Sequence, residues 1–307
     1  MTQQEYGDPH RLAAAAVVVG VDGSPGSNLA LRWAAGYAAE HRRALHIVHG
    51  LNLVAASSVV GPYQVISPRV IDGVRAQGRA IVTRAEHTAH LLEPELRISV
   101  HMSADTATSL LLERSKTAFA VVLGATGQTG TVGHLGSTLL AVTSHAEGAV
   151  IVVRPDSDAD ETVHISGPVV VGVDGSAVSD AAIGAAFAEA AERGVELIAA
   201  HTWSDWTFGT FAGEASELSL DEMQNVEEIV LSERLAGWQE KYPEVHIGRR
   251  VYFSEPARHL QEWSKTAQLL VVGNRGRGGF LGLLLGSTAH TLVQHAHCPV
   301  MVVHPTR

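Results

Sequence analysis

The sequence contains one cysteine, Cys298, in 307 residues. No intramolecular disulfide can form, a usage that fits a reducing compartment. Lysine is nearly as scarce: Lys116, Lys241 and Lys265 are the full set, and none sits in the G-x4-G-K-[ST] spacing of a P-loop. No G-x-G-x-x-G follows the first apolar run, and no G-x-S-x-G nucleophile elbow occurs. Long apolar runs are absent too. Leu12 to Val21 is too short to span a bilayer and ends at Asp22, and Met1 to Arg11 lacks the apolar stretch of a signal peptide. Positive charge is in deficit, with 22 Lys+Arg against 32 Asp+Glu and a net charge of −10. That balance argues against a broad nucleic-acid or anionic-membrane surface. These deficits predict a cytoplasmic protein with neither membrane nor nucleic acid as partner.

What is present is a globular balance, 46% hydrophobic and 18% charged, long enough for about two domains. Ala15–Val21 is a valine-rich run that reads as a buried strand ending at Asp22-Gly23-Ser24. A helix with Leu31, Ala34, Ala35 and Ala38 on one face follows, then a strand over Ala44–His49 and a long irregular loop over Leu51–Pro68. A helix over about 69–92, a strand at 96–102, a helix at 106–116 and a strand at 118–124 come next. A glycine loop then leads to a helix from Ser137 and a strand over Ala149–Val153. Asp156–Gly167 is polar and acidic and reads as a linker. After it the order restarts: Val169-Val170-Val171-Gly172-Val173-Asp174-Gly175-Ser176 repeats Val17-Val18-Val19-Gly20-Val21-Asp22-Gly23-Ser24. The repeat predicts a tail at 1–14, a first domain at 15–155, a linker at 156–167 and a second domain at 168–307. Alternating strands and helices predict two tandem doubly wound α/β domains, each a five-stranded parallel sheet with helices on both faces.

In such sheets ligands bind beyond the carboxyl ends of the strands, where the strand order reverses. The second domain offers Gly273, Gly276, Gly278 and Gly279 after an apolar run, with Arg275 and Arg277 among them. Gly286, Ser287 and Thr288 then open a helical pattern. A strand, a glycine loop and a helix N-terminus can bring backbone N–H groups to a phosphate, and the arginines add charge-assisted bonds. The first domain repeats the pattern with Gly124, Gly127, Gly136, Ser137 and Thr138. Asp22 and Asp174 sit on the same rim, where they can also serve only as turn and cap residues beside Ser24, Ser27, Ser176 and Ser179. The 17 histidines include His87 and His90 at helical spacing, but no H-E-x-x-H or Cys/His set, so no metal site is expected among them. Trp203, Trp206 and Phe208 read as core or subunit contacts, and Cys298 as a buried, inert thiol.

These motifs resemble the universal stress protein family, in its tandem two-domain bacterial form. Gly273, Gly276, Gly286 and Ser287 fit the family's ATP-binding spacing G-x2-G-x9-G-[ST]. Asp22 and Asp174 match its aspartate after the first strand, and His49 and His201 its histidine near the end of the second. The resemblance implies that Val173 and Asp174 hold the ribose or adenine edge and that Thr202 lines the adenine pocket. Gly273, Arg275, Gly276, Arg277, Gly286, Ser287 and Thr288 would surround the triphosphate. The counterparts are Val21, Asp22, Gly50, Gly124, Gly127, Gly136, Ser137 and Thr138. The first domain departs from the family pattern. Its loop has eight residues rather than nine between Gly127 and Gly136, and Thr126 and Gln128 stand where the second has Arg275 and Arg277. The expected cofactor is ATP, with Mg2+ travelling beside it. The expected role is a nucleotide-dependent regulator of stress response or growth arrest, acting as a homodimer with a further protein partner. No residue stands out as a base to activate water, so the chain is expected not to be an efficient enzyme. A slow ATPase or phosphotransferase, a chaperone-like dimer without nucleotide, and a cyclic-nucleotide ligand are the alternatives.

Overall fold

The computed structural model describes residues 15–53, 68–127, 136–156, 162–203, 220–276 and 285–305. The chain divides into two compact units, up to Arg154 and from Pro155 to Pro305. In the first unit the order is β1 (Val17–Gly20), α1 (Pro25–Glu40), β2 (Leu45–Gly50), α2 (Pro68–Leu92), β3 (Ile98–Ser103), α3 (Ala107–Ser115), β4 (Ala120–Gly124), α4 (Ser137–His145) and β5 (Ala149–Val153). In the second it is β6 (Val169–Val173), α5 (Ala177–Arg193), β7 (Leu197–Trp203), α6 (Leu220–Lys241), β8 (Ile247–Phe253), α7 (Pro256–Ser264), β9 (Leu269–Gly273), α8 (Ser287–His295) and β10 (Val300–Val303).

Each unit has a parallel sheet, ordered β3-β2-β1-β4-β5 in the first and β8-β7-β6-β9-β10 in the second. Val17, Val18 and Val19 of β1 and Val169, Val170 and Val171 of β6 are buried, which is why these central strands read as unbroken valine runs rather than alternations. Helices α1 and α2 pack on each other and on the sheet, α3 packs on the sheet and on α4, and the second unit repeats both pairs with α5–α6 and α7–α8. The sequence expectation of doubly wound domains therefore holds.

Helix α1 starts where Ser24, its N-cap, accepts the Ser27 N–H at 3.1 Å and Pro25 supplies a preset φ. Ser176 caps α5 in the same way through the Ser179 N–H, and the helix ends at Gly194 with φ 62°. The sequence reading assigns no element between His201 and Gln268, and the end of β7 with α6, β8 and α7 fills that stretch. Helix α6 is highly charged and buries Leu231 and Leu235 among the residues whose side chains are described, so its apolar stripe is thin. Strand β8 carries Arg249 and Arg250 and lies at the sheet edge, where alternation is weak. Of the aromatics after β7, Trp203 is buried edge-on to Phe253 at 4.9 Å, while Trp206 and Phe208 fall outside the described residues.

The segment read as a linker contributes to the second unit where it is described. Asp156 is buried, and its carboxylate accepts from His164 Nε2 at 2.7 Å and His297 Nδ1 at 3.0 Å. His164 Nδ1 also lies 3.1 Å from the Ala267 carbonyl. Cys298 is fully buried, and that burial pushes its thiol far above the ordinary range, so almost no thiolate exists near neutral pH. A thiol reagent at pH 8 is expected to label Cys298 only as fast as the second unit opens. Stopped-flow labelling that finishes in the native protein before any loss of ellipticity would contradict this.

Candidate functional site

Both candidate sites stand at the carboxyl ends of the strands. In the first unit the ends of β1 and β4 and the starts of α1, α3 and α4 surround a cleft of ≈ 310 Å³. Val21, Asp22, Gly50, Gly124, Gly127, Gly136, Ser137 and Thr138 all line it, so every candidate named in this unit meets there. Leu110 and Leu111 of α3, Leu123 of β4 and Leu139 of α4 form an apolar wall that the sequence reading missed. The signal was present in the paired leucines of the predicted 106–116 helix, which must point back to the sheet.

Asp22 is first a turn former. Its Oδ1 accepts the Ser24 N–H at 2.9 Å, while its own N–H donates to Ser27 Oγ at 3.3 Å. Its Oδ2 is directed at the glycine loop, for a Cβ placed on Gly127 would lie 3.1 Å from it. Asp174 repeats this arrangement: Oδ1 accepts from the Ser176 N–H at 2.9 Å and the Ser176 hydroxyl at 2.8 Å. A Cβ on Gly276 would collide with Asp174 Oδ2. The carboxylate and the second glycine of each motif are thus neighbours, not opposite ends of a site. The cap reading and the site reading coexist, with one oxygen of each aspartate given to the turn and the other facing the loop.

The helix starts fit the loops. Gly136 and Gly286 are the N-caps of α4 and α8, and neither supplies a side-chain cap. The first-turn N–H groups of Ser137–Leu139 and Ser287–Ala289 therefore carry the positive end of the helix dipole with no side-chain oxygen from the cap upon them. In the second unit the Gly286 N–H donates to the Asn274 carbonyl at 2.8 Å, drawing the two ends of the long loop together. Gly273 packs against Val178, and Arg275 is exposed. Arg277 and Gln128 fall outside the described residues. Asn274 is buried, and among the described residues its Oδ1 has no hydrogen-bond partner.

His49 and His201 have a shared structural role that sequence spacing does not reveal. His49 Nδ1 donates to the Val21 carbonyl at 2.7 Å, and His201 Nδ1 to the Val173 carbonyl at 2.7 Å. Each ring ties the end of the second strand to the residue that precedes the aspartate. Two of the positions at which the units differ lie at close contacts. Gly50 of the first stands so close to α3 that a Cβ would lie 2.5 Å from Ala107 N. Its counterpart is Thr202, and there the entry to α7 is reshaped by Ser254 and Glu255, both at positive φ (53° and 52°). Likewise Gly26 presses α1 on the Thr126 carbonyl, where the second unit has Val178.

The family model described as Universal stress protein family matches residues 15–154 and 166–304. The chain belongs to the universal stress protein family. A universal stress protein of Mycolicibacterium smegmatis is 38% identical over 297 residues, covering 94% of this chain and 97% of the relative. One from Mycobacterium tuberculosis is 40% identical over 292 residues, covering 93% and 96%. In fold, the crystal structure of a universal stress protein from Archaeoglobus fulgidus superposes with a TM-score of 0.68, covering 95% of this chain and 98% of that one at 15% identity. These matches run through both repeats, so the duplication is a property of the tandem universal stress protein and not a chance echo of valines and glycines.

The carboxylate–glycine contacts give a direct test. Gly276→Ala is expected to push Asp174 off Ser176 and destabilise the second unit by about 1–3 kcal/mol, as overpacking does. Gly127→Ala, at the looser contact, is expected to cost the first unit less. Urea unfolding of the two variants checks the order, and a larger loss at Gly127 would contradict the geometry.

Proposed function

We propose that both units bind an adenine nucleotide, with ATP as the main ligand, and that the protein is a nucleotide-dependent regulator in stress or growth arrest. The observation that carries the reading is the first-unit cleft. It is ≈ 310 Å³ in volume and is lined by Asp22, the glycine loop and the start of α4 together. That volume lies in the range of small-ligand sites. The apolar leucines suit a base, and the carboxylate suits ribose hydroxyls, which donate to it. The phosphates would run from the ribose to the N-terminus of α4 or of α8, where donors and dipole favour anions.

A carboxylate so close to the loop sets the ligand's direction. It repels phosphate and accepts from hydroxyls, so the ribose must lie between Asp22 or Asp174 and the base. Asn274 Oδ1 is likewise an acceptor and suits a hydroxyl or a hydrated cation, not a phosphate oxygen. Val21, Gly50, Val173 and Thr202 would then flank the base, and Gly124, Gly136, Ser137, Thr138, Gly273, Gly286, Ser287 and Thr288 the phosphates. Magnesium, which binds through phosphates with few protein ligands, would enter with ATP. Asp22 is the only ionisable group among the described residues that line the first cleft, and at the ribose it would stand away from the γ-phosphate. A second copy of the chain, a further protein partner and a cytoplasmic setting belong to the same proposal.

The loops should differ in how they read phosphate. Arg275 and Arg277 stand where the first unit has Thr126 and Gln128. In Asp22→Ala, where only the second site reports, ATP should be preferred over AMP more strongly than in Asp174→Ala. The gap should narrow as salt rises, because exposed charges are screened. Calorimetric titration with AMP, ADP and ATP at two salt concentrations measures this. Equal phosphate dependence at the two sites would remove the arginines from binding, and no binding of any of the three would overturn the proposal.

A further inference from the structure

The second site holds a half-buried side-chain pair for which the described residues of the first show no equivalent. His201 is 8% exposed, and its two ring nitrogens meet different partners. Nδ1 lies 2.7 Å from the Val173 carbonyl, and Nε2 lies 3.0 Å from Glu227 Oε2 on α6. The Glu227 side chain is itself only 18% exposed. Both partners are acceptors when the glutamate is ionised, so both bonds coexist only when the pair holds a hydrogen on each ring nitrogen or one on the carboxyl. With the glutamate ionised and the ring doubly protonated, the bond between them is charge-assisted, and such bonds are stronger than neutral ones.

In the first unit the His49 ring makes the same bond to Val21, but the residue beside its far edge is Gly78 of α2. A Cβ on Gly78 would lie 3.2 Å from His49 Cδ2 and 3.4 Å from Nε2. Gly78 and Glu227 occupy the same place in the repeat: each is 20 residues before the strand that follows, Ile98 in β3 and Ile247 in β8. One helix position thus gives a bare backbone in the first unit and a carboxylate in the second.

We propose that Glu227 is a positioning residue of the second site. It locks His201, and His201 holds the end of β6, where Val173 leads into Asp174, and carries Thr202 as its chain neighbour. The proposal rests on the nucleotide reading above and adds that the adenosine end of the second site is pre-set by this pair, while that of the first is held by His49 alone. Glu227 touches the histidine and not the ligand. Its influence should therefore fall equally on AMP and ATP, unlike that of the loop arginines.

The test uses the full chain with one site disabled. In the Asp22→Ala background, Glu227→Gly, which copies the first unit, should weaken AMP and ATP by the same factor, about three- to tenfold, since only part of one charged hydrogen bond is transmitted. Glu227→Gln keeps a hydrogen-bonding group and should restore most of the affinity. In the Asp174→Ala background, Gly78→Glu should tighten the first site, because the nearest obstacle is the flexible tip of Leu51. Nitrogen-15 spectra of histidine-labelled protein read the pair without ligand: the His201 Nε2 signal should shift in Glu227→Gly, and His49 should not. Unchanged affinity in Glu227→Gly despite that shift overturns the positioning role. An unshifted His201 signal overturns the pair itself. Binding of AMP and ATP at neither site in the parent protein overturns the nucleotide reading, and the positioning role with it, even where the His201 shift is seen.

Discussion

Both units depend on how closely the backbone leaving the first strand approaches the backbone leaving the fourth. In the first unit Gly124 and Gly26 meet with no side chain between them, and Gly26 also seats the Thr126 carbonyl. In the second, Gly273 meets Val178, one side chain thicker. This is the switch point of a doubly wound sheet, where the connections part and leave a crevice. The aspartate after the first strand is held there by its turn, and Gly127 or Gly276 after the fourth stands against it. A bulky residue at any of these glycines would close the crevice before a ligand arrived.

The two units share a plan but differ at the contact positions around it. The first relies on small residues: Gly26, Gly50 and Gly78 let a helix or loop press close. The second has Val178, Thr202 and Glu227 in those places, and it enters α7 through two residues at positive φ, a conformation that costs of order 1 kcal/mol or more at each non-glycine position. Three contact positions thus separate a rim built by close backbone approach from one built by side chains.

Much of this was legible in the sequence for a physical reason. Buried parallel strands must be apolar on both faces, so the valine runs at 17–19 and 169–171 announce themselves, and their repetition exposes the duplication. Glycines in loops after strands mark close approach, and the first-unit candidates chosen on that ground meet around one cleft. Other features were hidden because they depend on partners distant in sequence. The leucine wall comes from α3 and α4, whose orientation toward the rim is set by packing. The His201–Glu227 bond joins residues whose connection includes an unpatterned stretch, and nothing in the charged run of α6 marks Glu227 among its many acids. Asp156 reads in sequence as one more acidic linker residue, because its partners His164 and His297 lie 8 and 141 residues away.

The central claim is that each unit of one chain holds one adenine nucleotide. Equilibrium dialysis of the full-length protein against labelled ATP, at concentrations well above saturation, measures this without assuming which site is stronger. The account predicts two ATP per chain, falling to one in Asp22→Ala and one in Asp174→Ala. A stoichiometry of two that neither substitution changes, or no bound ATP at all, would contradict it.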